Sequence, residues 1–421
     1  MKVLIIGGGG REHAVALALA KSPSVKKLWA APGNGGTARI CENVPLGACD
    51  MEGVLAFCRE NRPDLVVVTP DDPLALGMVD MLEKHGFSAF GPRARAAELE
   101  ASKAFAKDFM QRHGIPTAAC RVFRDKASAL GYAKLCPLPV VVKADGLALG
   151  KGVIICHERQ EALDAVEKLS ASVSGSTLLF EEFLSGPEVS QLCFCDGEHV
   201  ALMPASQDHK RAYDGDEGPN TGGMGAFSPV SVYTPELQGR CLREIILPTV
   251  RGMREDGREF RGVLYVSLML TPQGPKVIEY NARFGDPETQ AVLPLLESDL
   301  LEIMLAVHDG TLDGLRIRWL DKASCCVVMA SGGYPGKYEK GFPIFGLENA
   351  AAYGTVFHAG TELRDGEYFT AGGRVLGVTA VADTLPEAVD LAYKGVFEID
   401  FERAFFRRDI AKKDPLLGGG V

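Results

Sequence analysis

The sequence has no long basic run, no regular cysteine pattern and no apolar segment long enough to cross a membrane. Its 45 Lys and Arg residues are outnumbered by 55 Asp and Glu residues, for a net charge of −10, so we expect no nucleic-acid partner. The 11 cysteines are scattered without a Cys-x-x-Cys pair, which favours a reducing compartment over a disulfide framework or a zinc knuckle. The apolar run near Met1 covers only residues 3–6, so we expect no signal peptide and no membrane partner. Together these absences predict a cytoplasmic enzyme.

The order of predicted elements indicates several domains of α/β and α+β type, because 421 residues are too many for one core. Strand and helix alternate up to Gly91-Pro92, which predicts a parallel sheet covered by helices. A strand–helix–strand piece then follows the helix that begins near Ser102, and mixed antiparallel strands and helices follow it. The predicted strands are 3–6, 28–31, 65–69, 139–144, 153–156, 262–270, 325–330 and 374–381, and the predicted helices are 12–21, 51–61 and 386–397.

The most informative segment is the predicted hairpin whose second strand begins at Lys276. Glu279 and Asn281 are two residues apart in that strand, so their side chains are expected on the same face. A carboxylate and an amide oxygen suit Mg²⁺, which prefers a few protein oxygens together with substrate phosphates. Arg283, Asp286 and Glu288 follow in a turn broken by Gly and Pro. The alternative is a hairpin with a solvated polar face, which the crowding of five polar residues makes less attractive.

A run of four glycines, residues 7–10, follows the first strand and opens the first helix. Backbone N–H groups at such a helix start bind anions, and glycine lets a phosphate come close. A dinucleotide site is disfavoured because Glu12 or His13 fills the third glycine position and no acidic residue closes the second strand. A phosphate-bearing small molecule fits better, although a merely tight turn remains the alternative.

Lys143 ends a β-branched strand and is followed by a glycine-rich loop with a second lysine, Lys151. This order can hold a nucleotide triphosphate. It is not a P-loop, because Gly146 is one residue too close to Lys151 and Gly152 replaces the Ser or Thr. An ordinary hairpin would be the alternative.

Three further polar segments are candidates for ligand binding. Residues 181–184 and Glu188 offer carboxylates to the exocyclic amine and ribose of a nucleotide, but a solvated strand end would look the same. Residues 207–211 and 218–225 are too polar and glycine-rich for a packing role, so we interpret them as substrate-lining loops. His209 and His13 remain ambiguous, since a lone histidine is more often structural.

With these segments in this order, the chain resembles the glycinamide ribonucleotide synthetase family of the ATP-grasp superfamily. The resemblance extends from residues 7–13 through 102–109, 207–211 and 218–225 to 283–290. Residues 283–288 are specific to this ligase family, whereas the strand lysine and glycine loop indicate only the superfamily. The family usually has Gly-Pro-Glu where this chain has Thr69-Pro70-Asp71.

The resemblance implies a fold, a division into domains and an activity. The expected architecture is an N-terminal Rossmann-like, pre-ATP-grasp α/β domain at 1–101, an ATP-grasp core at 102–322 and a C-terminal α+β domain at 323–421. A mobile lid subdomain is expected at about 117–184. The implied reaction joins glycine to 5-phosphoribosylamine with ATP, through glycyl phosphate, giving glycinamide ribonucleotide, ADP and phosphate. The expected cofactors are ATP and Mg²⁺ or Mn²⁺, and the expected state is a monofunctional monomer or weak homodimer.

The resemblance also implies roles for individual residues. Arg283, Lys143, Lys103 and Asp208 would be catalytic, and Glu279 and Asn281 would bind the metal. The implied ATP-binding residues are Lys103, Lys143, Gly146, Gly150, Lys151, Gly152, Glu181, Glu182, Phe183, Leu184 and Glu188. The implied substrate-binding residues are Gly9, Gly10, Arg11, Asn34, Gly36, Thr37, Pro70, Asp71, Asp208, Lys210, Gly222, Gly223, Arg283 and Asp286. The rival interpretations are another ATP-grasp ligase or carboxylase, a nicotinamide oxidoreductase and a non-catalytic nucleotide-binding module.

Overall fold

The first hundred residues form a five-stranded parallel sheet with the strand order β3 (Glu42–Asn43), β2 (Lys27–Pro32), β1 (Lys2–Gly7), β4 (Leu65–Val68) and β5 (Ala89–Phe90). The computed structural model describes residues 1–147, 152–172 and 177–417. Apart from the exposed Lys2, the central strand β1 and its neighbour β4 are apolar and almost fully buried on both faces, as a sheet covered by helices on each side requires. The predicted parallel sheet is thereby confirmed. Its elements are β1 (Lys2–Gly7), α1 (Gly10–Ala20), β2 (Lys27–Pro32), β3 (Glu42–Asn43), α2 (Met51–Asn61), β4 (Leu65–Val68), α3 (Asp71–Ala75), α4 (Met78–Lys84), β5 (Ala89–Phe90) and α5 (Ala94–Ala101).

The next segment builds a separate four-stranded sheet, which we call the lid sheet. Ser102 caps the helix that leads into it, because its hydroxyl accepts a hydrogen bond from the Phe105 N–H. The elements are α6 (Lys103–Arg112), β6 (Cys120–Phe123), α7 (Lys126–Ala133), β7 (Val140–Ala144), β8 (Val153–Cys156), α8 (Arg159–Ser172) and β9 (Leu178–Glu182). The predicted strand–helix–strand order is present, but β9 lies between β6 and β7 and pairs antiparallel with both.

The remaining described residues form two further large antiparallel sheets and two short antiparallel hairpins. From Glu188 the elements are β10 (Glu188–Asp196), β11 (Val200–Leu202), β12 (Gln207–Asp208), β13 (Arg211–Tyr213), β14 (Glu217–Asn220), β15 (Gly225–Ser228), α9 (Pro235–Cys241), α10 (Leu247–Glu255), β16 (Arg261–Thr271), β17 (Gly274–Asn281), α11 (Glu288–Val292) and α12 (Leu300–Asp309). After these come β18 (Ala323–Ala330), α13 (Leu347–Ala350), β19 (Thr355–His358), β20 (Thr361–Arg364), β21 (Glu367–Thr370), β22 (Arg374–Ala382) and α14 (Leu385–Glu398).

The central sheet, β11-β10-β16-β17, contains the predicted hairpin of β16 and β17. Its register shifts near Ser267: Ser267 faces Glu279 but Leu268 faces Val277, so Ile278 is an extra residue on β17. Such a bulge bends a strand and redirects the side chains beside it. Here it lies beside Glu279.

A second sheet, β12-β15-β18-β22-β19, joins short strands from the middle of the chain to the C-terminal strands. Gln207 and Asp208 pair with Phe227 and Ala226, and β15 pairs with β18 about a hundred residues later. The segments around Asp208 and Gly223 are therefore fixed between the central sheet and the C-terminal sheet. In the described ranges, none of the helices has the length and apolar character that a membrane span requires.

Candidate functional site

Two cavities meet beside β17. The larger, of about 570 Å³, lies between the lid sheet and the central sheet, and its apolar lining includes Val141, Ile155 and Phe183. The smaller, of about 100 Å³, extends towards the end of α5 and the start of α3. Lys143, Glu181 and Glu279 line both cavities, so the charged side chains are concentrated where the cavities join.

A buried charge cluster lies at this junction. The Glu181 carboxylate oxygen Oε2 is 3.0 Å from Lys143 Nζ and 3.0 Å from Lys107 Nζ. All three side chains are at most 6% exposed. The other oxygen, Glu181 Oε1, is buried and has no hydrogen-bond partner among the described residues. Lys103, one helical turn before Lys107, donates to the Gly146 carbonyl at 2.9 Å. The cluster thus offers ammonium groups and one free carboxylate oxygen.

Glu279 is surrounded by cations. Burial alone would raise the pKa of its carboxyl group, but Lys210, Lys143, Lys103 and Arg283 outweigh burial and lower that pKa to about 2. Glu279 is therefore ionised at neutral pH and faces a strongly positive environment. That environment matches a ligand with several negative charges, such as a polyphosphate.

Lys210 lies between two carboxylates, with its Nζ 3.8 Å from Glu188 Oε2 and 3.7 Å from Glu279 Oε1. Burial would lower the pKa of Lys210, but the two glutamates raise it well above the ordinary value. Its ammonium group bridges the predicted nucleotide residue Glu188 and the predicted metal ligand Glu279. The structure therefore brings these three predicted residues together.

The predicted metal pair, Glu279 and Asn281, lines the small cavity. Asn281 Oδ1 accepts a hydrogen bond from Arg283 Nη2 at 3.0 Å, which leaves one lone pair of that oxygen for another partner. Three or more His, Cys, Asp or Glu residues grouped for metal binding are not found in the described ranges. A carboxylate and an amide oxygen fit a hard cation that takes most ligands from phosphates and water.

Arg283 is held by a residue that the sequence analysis missed. Its Nη2 is 2.9 Å from Glu100 Oε1, and Glu100 Oε2 accepts from the Ala282 N–H at 2.7 Å. Arg283 Nε is buried without a hydrogen-bond partner among the described residues. Asp71 lines the same cavity. Arg283 thus has a fixed position and an unused N–H donor.

Asp208 and Glu288 are two neighbouring acids, of which Glu288 is buried and Asp208 is partly buried. Glu288 Oε1 accepts from Tyr265 at 2.6 Å and from Ser190 at 3.2 Å. Asp208 Oδ1 is buried and has no partner in the described part of the chain. Burial and the nearby Glu288 raise the pKa of Asp208 well above its usual value, against the opposing charges of Lys210 and Arg374. A cationic ligand between the two acids would offset their mutual repulsion and favour the ionised form of Asp208, so this place suits a cationic ligand.

Arg374 joins the two predicted loops next to Asp208. Its Nη1 donates to the carbonyl groups of Gly222 at 2.7 Å and Asp286 at 2.8 Å. Asp286 also accepts from Gln290 at 2.7 Å. Gly223 has φ +114°, and a Cβ there would lie 2.4 Å from Pro287 and 2.6 Å from Asp208. Only glycine fits this position.

At the N-terminal glycine loop, the predicted residues are partly engaged with one another. Gly9 N–H donates to Glu12 Oε2 at 2.6 Å, and Arg11 Nε donates to Glu12 Oε1 at 2.6 Å. Arg11 Nη1 donates to the Phe284 carbonyl at 3.0 Å and the residue is 8% exposed. The Arg11 side chain therefore connects α1 to the Arg283 loop, rather than extending into open space. Pro70 precedes α3 as its N-cap.

Asn34 organises the neighbouring loop. Its Nδ2 donates to the carbonyls of Gly8 and Gly9, and its Oδ1 accepts from the backbone N–H groups of Gly36 and Thr37. Asn34 and Thr37 are 7% and 0% exposed. Their role here is to shape the loop beside the glycine run.

The two ambiguous histidines are buried and hydrogen-bonded to backbone. His13 Nδ1 accepts from the His358 N–H at 2.8 Å, and His209 Nε2 accepts from the Ala411 N–H at 3.2 Å. Both connect their own segment to the C-terminal sheet region, as a structural histidine does.

Several residues of the site had little or no sequence signal. Glu100 and Arg374 act through contacts with distant segments, whereas Lys107 was detectable because it follows Lys103 by four residues on one helix face. Glu288 belongs to the run 283–288 that the sequence analysis singled out, but its partners Tyr265 and Ser190 lie in distant segments. Among the predicted nucleotide residues, Glu182 lies 3.5 Å from Lys276 through its carboxylate, and Phe183 and Leu184 line the large cavity. Gly152 lines the small cavity. Gly150 and Lys151 lie outside the described residues.

Comparisons with known proteins cover the chain almost completely. Three protein-family models match the chain. They are the phosphoribosylglycinamide synthetase N domain at residues 1–100, its ATP-grasp (A) domain at 101–289 and its C domain at 324–413. A phosphoribosylamine–glycine ligase of Rhizobium meliloti is 50% identical over 97% of this chain and 98% of its own. The crystal structure of the Thermotoga maritima phosphoribosylamine–glycine ligase has a TM-score of 0.86 at 35% identity, over 98% of this chain and all of that one. A Hydrogenobacter thermophilus biotin carboxylase domain, solved with MgADP, shares the fold at 17% identity, with a TM-score of 0.71 over 99% of this chain and 92% of that one.

Proposed function

Because the chain belongs to the phosphoribosylglycinamide synthetase family, we propose that its two cavities hold the substrates of that family's ligation reaction. The chain is an ATP-dependent phosphoribosylamine–glycine ligase of purine biosynthesis with an ATP-grasp fold, which confirms the predicted family, fold and activity. Use of ATP and a divalent metal follows from that fold. The proposal concerns how individual residues perform the reaction.

ATP is assigned to the large cavity. The apolar side chains Val141, Ile155 and Phe183 would pack against the adenine ring. The buried, unpaired Glu181 Oε1 would accept a hydrogen bond from the exocyclic amine of adenine. Lys143 and Lys103 would hold the phosphates, and Gly146, Gly150, Lys151 and Gly152 would approach them. Glu182 to Leu184 and Glu188 complete the nucleoside site. The observation that supports this assignment is the concentration of cations around Glu279 next to an apolar cavity.

A divalent cation, Mg²⁺ or Mn²⁺, would be held by Glu279 and Asn281 and would neutralise phosphate charge. The two oxygens supply few ligands, as a cation that also binds substrate phosphates requires. Lys210 beside Glu279 keeps the carboxylate ionised.

Glycine is assigned to the region between Asp208 and Arg283. Its ammonium group would lie against the two acids Asp208 and Glu288, and its carboxylate would face the free Nε of Arg283. Gly222, Gly223 and Asp286, fixed by Arg374, form the wall beside the ammonium group. 5-Phosphoribosylamine is assigned to the N-terminal loops, with Gly9, Gly10, Arg11, Asn34, Gly36, Thr37, Pro70 and Asp71.

In the first step, a glycine carboxylate oxygen would attack the γ-phosphorus of ATP, breaking its bond to the β–γ bridging oxygen and giving glycyl phosphate and ADP. The amine nitrogen of 5-phosphoribosylamine would then attack the acyl carbon. Phosphate would leave with the C–O bond electrons and the amine would lose a proton. Lys103, Lys143 and Arg283 would align the reactants and neutralise developing negative charge, which accounts for most of the catalysis in phosphoryl transfer.

We assign residues 1–101, 102–322 and 323–421 to substrate-binding, ATP-grasp and C-terminal domains, with 117–184 as the lid. A cytoplasmic monomer or weak homodimer is proposed on the same family basis.

The deciding experiment measures ADP release with Mg-ATP, glycine and 5-phosphoribosylamine, omitting each in turn. The proposal expects turnover only with all three and a product mass equal to the amide. Asp208→Asn should raise the KM for glycine at least tenfold and leave the KM for ATP within twofold. Turnover without 5-phosphoribosylamine, or with another acid in place of glycine, would reassign the substrates to those of another ATP-grasp ligase.

A further inference from the structure

Lys107 is a buried lysine to which the reaction scheme above assigns no role. It lies on α6 with 6% exposure, donates to Thr117 Oγ1 at 2.8 Å and lies 3.0 Å from Glu181 Oε2. Thr117 in turn donates to the Val277 carbonyl on β17 at 2.7 Å. The ammonium group therefore has a fixed position between the lid sheet and the metal-binding strand.

The cluster of Lys107, Lys143 and Glu181 has two positive charges and one negative charge in a buried setting. Both ammonium groups contact the same carboxylate oxygen. A phosphate that binds Lys143 must compete with Glu181 for that lysine, because separating a buried ion pair leaves an uncompensated buried charge. The ammonium group of Lys107 contacts the same Glu181 oxygen and so weakens the attraction between Glu181 and Lys143.

We propose that Lys107 is a positioning residue that keeps Glu181 paired, so that Lys143 is available to the nucleotide phosphates. The inference rests on the assignment of Lys143 to the phosphates. Without Lys107, Glu181 would have Lys143 as its remaining cationic contact and would hold it away from the ligand. The effect is therefore transmitted to ATP through Glu181 and not by direct contact.

The test is a double-variant cycle on the full-length chain, with KM for ATP, glycine and 5-phosphoribosylamine as readouts. Lys107→Met should raise the KM for ATP at least tenfold and leave the two other KM values within twofold. In the Glu181→Gln background, where no carboxylate competes for Lys143, Lys107→Met should change the KM for ATP less than twofold. Equal effects of Lys107→Met in both backgrounds, or an unchanged KM for ATP, would overturn the proposal.

Three additional variants separate the alternatives. Lys107→Gln removes the charge but keeps an N–H donor for Thr117, so it provides the same test if Lys107→Met fails to fold. Lys126→Met is the matched control, because Lys126 lies on α7 and pairs only with the half-exposed Glu167 among described contacts; it should leave every KM unchanged. Lys143→Met tests the underlying assignment: an unchanged KM for ATP there would refute the phosphate role of Lys143 itself, independently of Lys107.

Discussion

Glu100, near the end of α5, holds Arg283 through a 2.9 Å contact between Oε1 and Nη2 and also accepts from the Ala282 N–H. One carboxylate thus fixes both the backbone and the guanidinium group at the start of the loop that leads to Asp286. The pair lies in a small polar cavity and is mostly buried, at 9% and 17% side-chain exposure. Arg283 can therefore present its free Nε to a ligand without reorganising.

Glu100→Gln should impair catalysis because it leaves Arg283 as a buried cation without its main counter-charge. Glutamine can still accept from the Ala282 N–H, so the backbone contact is retained. Breaking a buried pair by removing one partner destabilises a protein by about 3 kcal/mol, and we expect a loss of this size in urea unfolding. We also expect kcat to fall at least tenfold. Glu167→Gln, in the exposed pair with Lys126, is the control, and a similar loss there would contradict the explanation.

Glu279→Gln should abolish metal-dependent turnover, since a neutral amide replaces the carboxylate that we assign to the cation. The variant also removes the negative charge that faces Lys210 at 3.7 Å. Equilibrium titration with Mn²⁺ in the presence of ATP, followed by electron paramagnetic resonance, should show at least tenfold weaker binding. Undiminished Mg-ATP turnover would refute the metal assignment.

Much of the fold was predictable because the governing interactions are local. The apolar strands that alternate with helices in the first domain, helix α2 and the β16–β17 hairpin can be predicted from hydrophobic periodicity and turn residues. The position of β9 between β6 and β7 was not predictable, because strand order within a sheet depends on pairing between distant segments. The same holds for β12, a strand of two residues whose place depends on β15 and β18.

In the site, sequence order indicated the charged residues but not their partners. Glu279 and Asn281 line one cavity, as their spacing of two residues in a strand predicts. The contacts of Lys107 with Glu181, and of Arg374 with Gly222 and Asp286, join segments more than seventy residues apart. No local pattern specifies such pairs.

Gly223→Ala should be far more damaging than the same change at Gly86. Both glycines have positive φ, +114° and +79°, but only Gly223 has close neighbours, with Pro287 and Asp208 inside 3 Å of an added Cβ. Gly86→Ala therefore measures backbone strain alone, of about 1 kcal/mol. Gly223→Ala should add a steric clash and displace Asp208, raising the KM for glycine at least tenfold. Equal losses of stability with an unchanged KM in both variants would contradict this.

Folding stability should decrease as the pH falls below about 6.5, because three buried histidines resist protonation. Burial, with a contribution from His358, lowers the pKa of His13 to about 3. Burial lowers the pKa of His358 to about 4, and burial together with Arg407 lowers that of His209 to about 4. In the unfolded chain each histidine titrates near 6.5. The unfolded state therefore binds more protons between about pH 6.5 and about pH 4, and stability is lost across that window.

The limiting slope, reached well below about pH 6.5, is about 1.4 kcal/mol per pH unit for each such histidine, which amounts to a loss of about 1.2 kcal/mol between about pH 7 and about pH 5.5. Urea unfolding at about pH 7 and about pH 5.5 should reveal it, and His209→Gln provides the matched variant. Glutamine Oε1 can replace Nε2 as the acceptor for the Ala411 N–H but does not titrate. The acids beside His209 stay ionised between about pH 7 and about pH 5.5, because the pKa of Asp409 is lowered to about 2 and that of Asp216 is also lowered. The difference between the two slopes therefore isolates His209. Parent and variant slopes that coincide would show that His209 protonates as readily in the folded protein as in the unfolded chain.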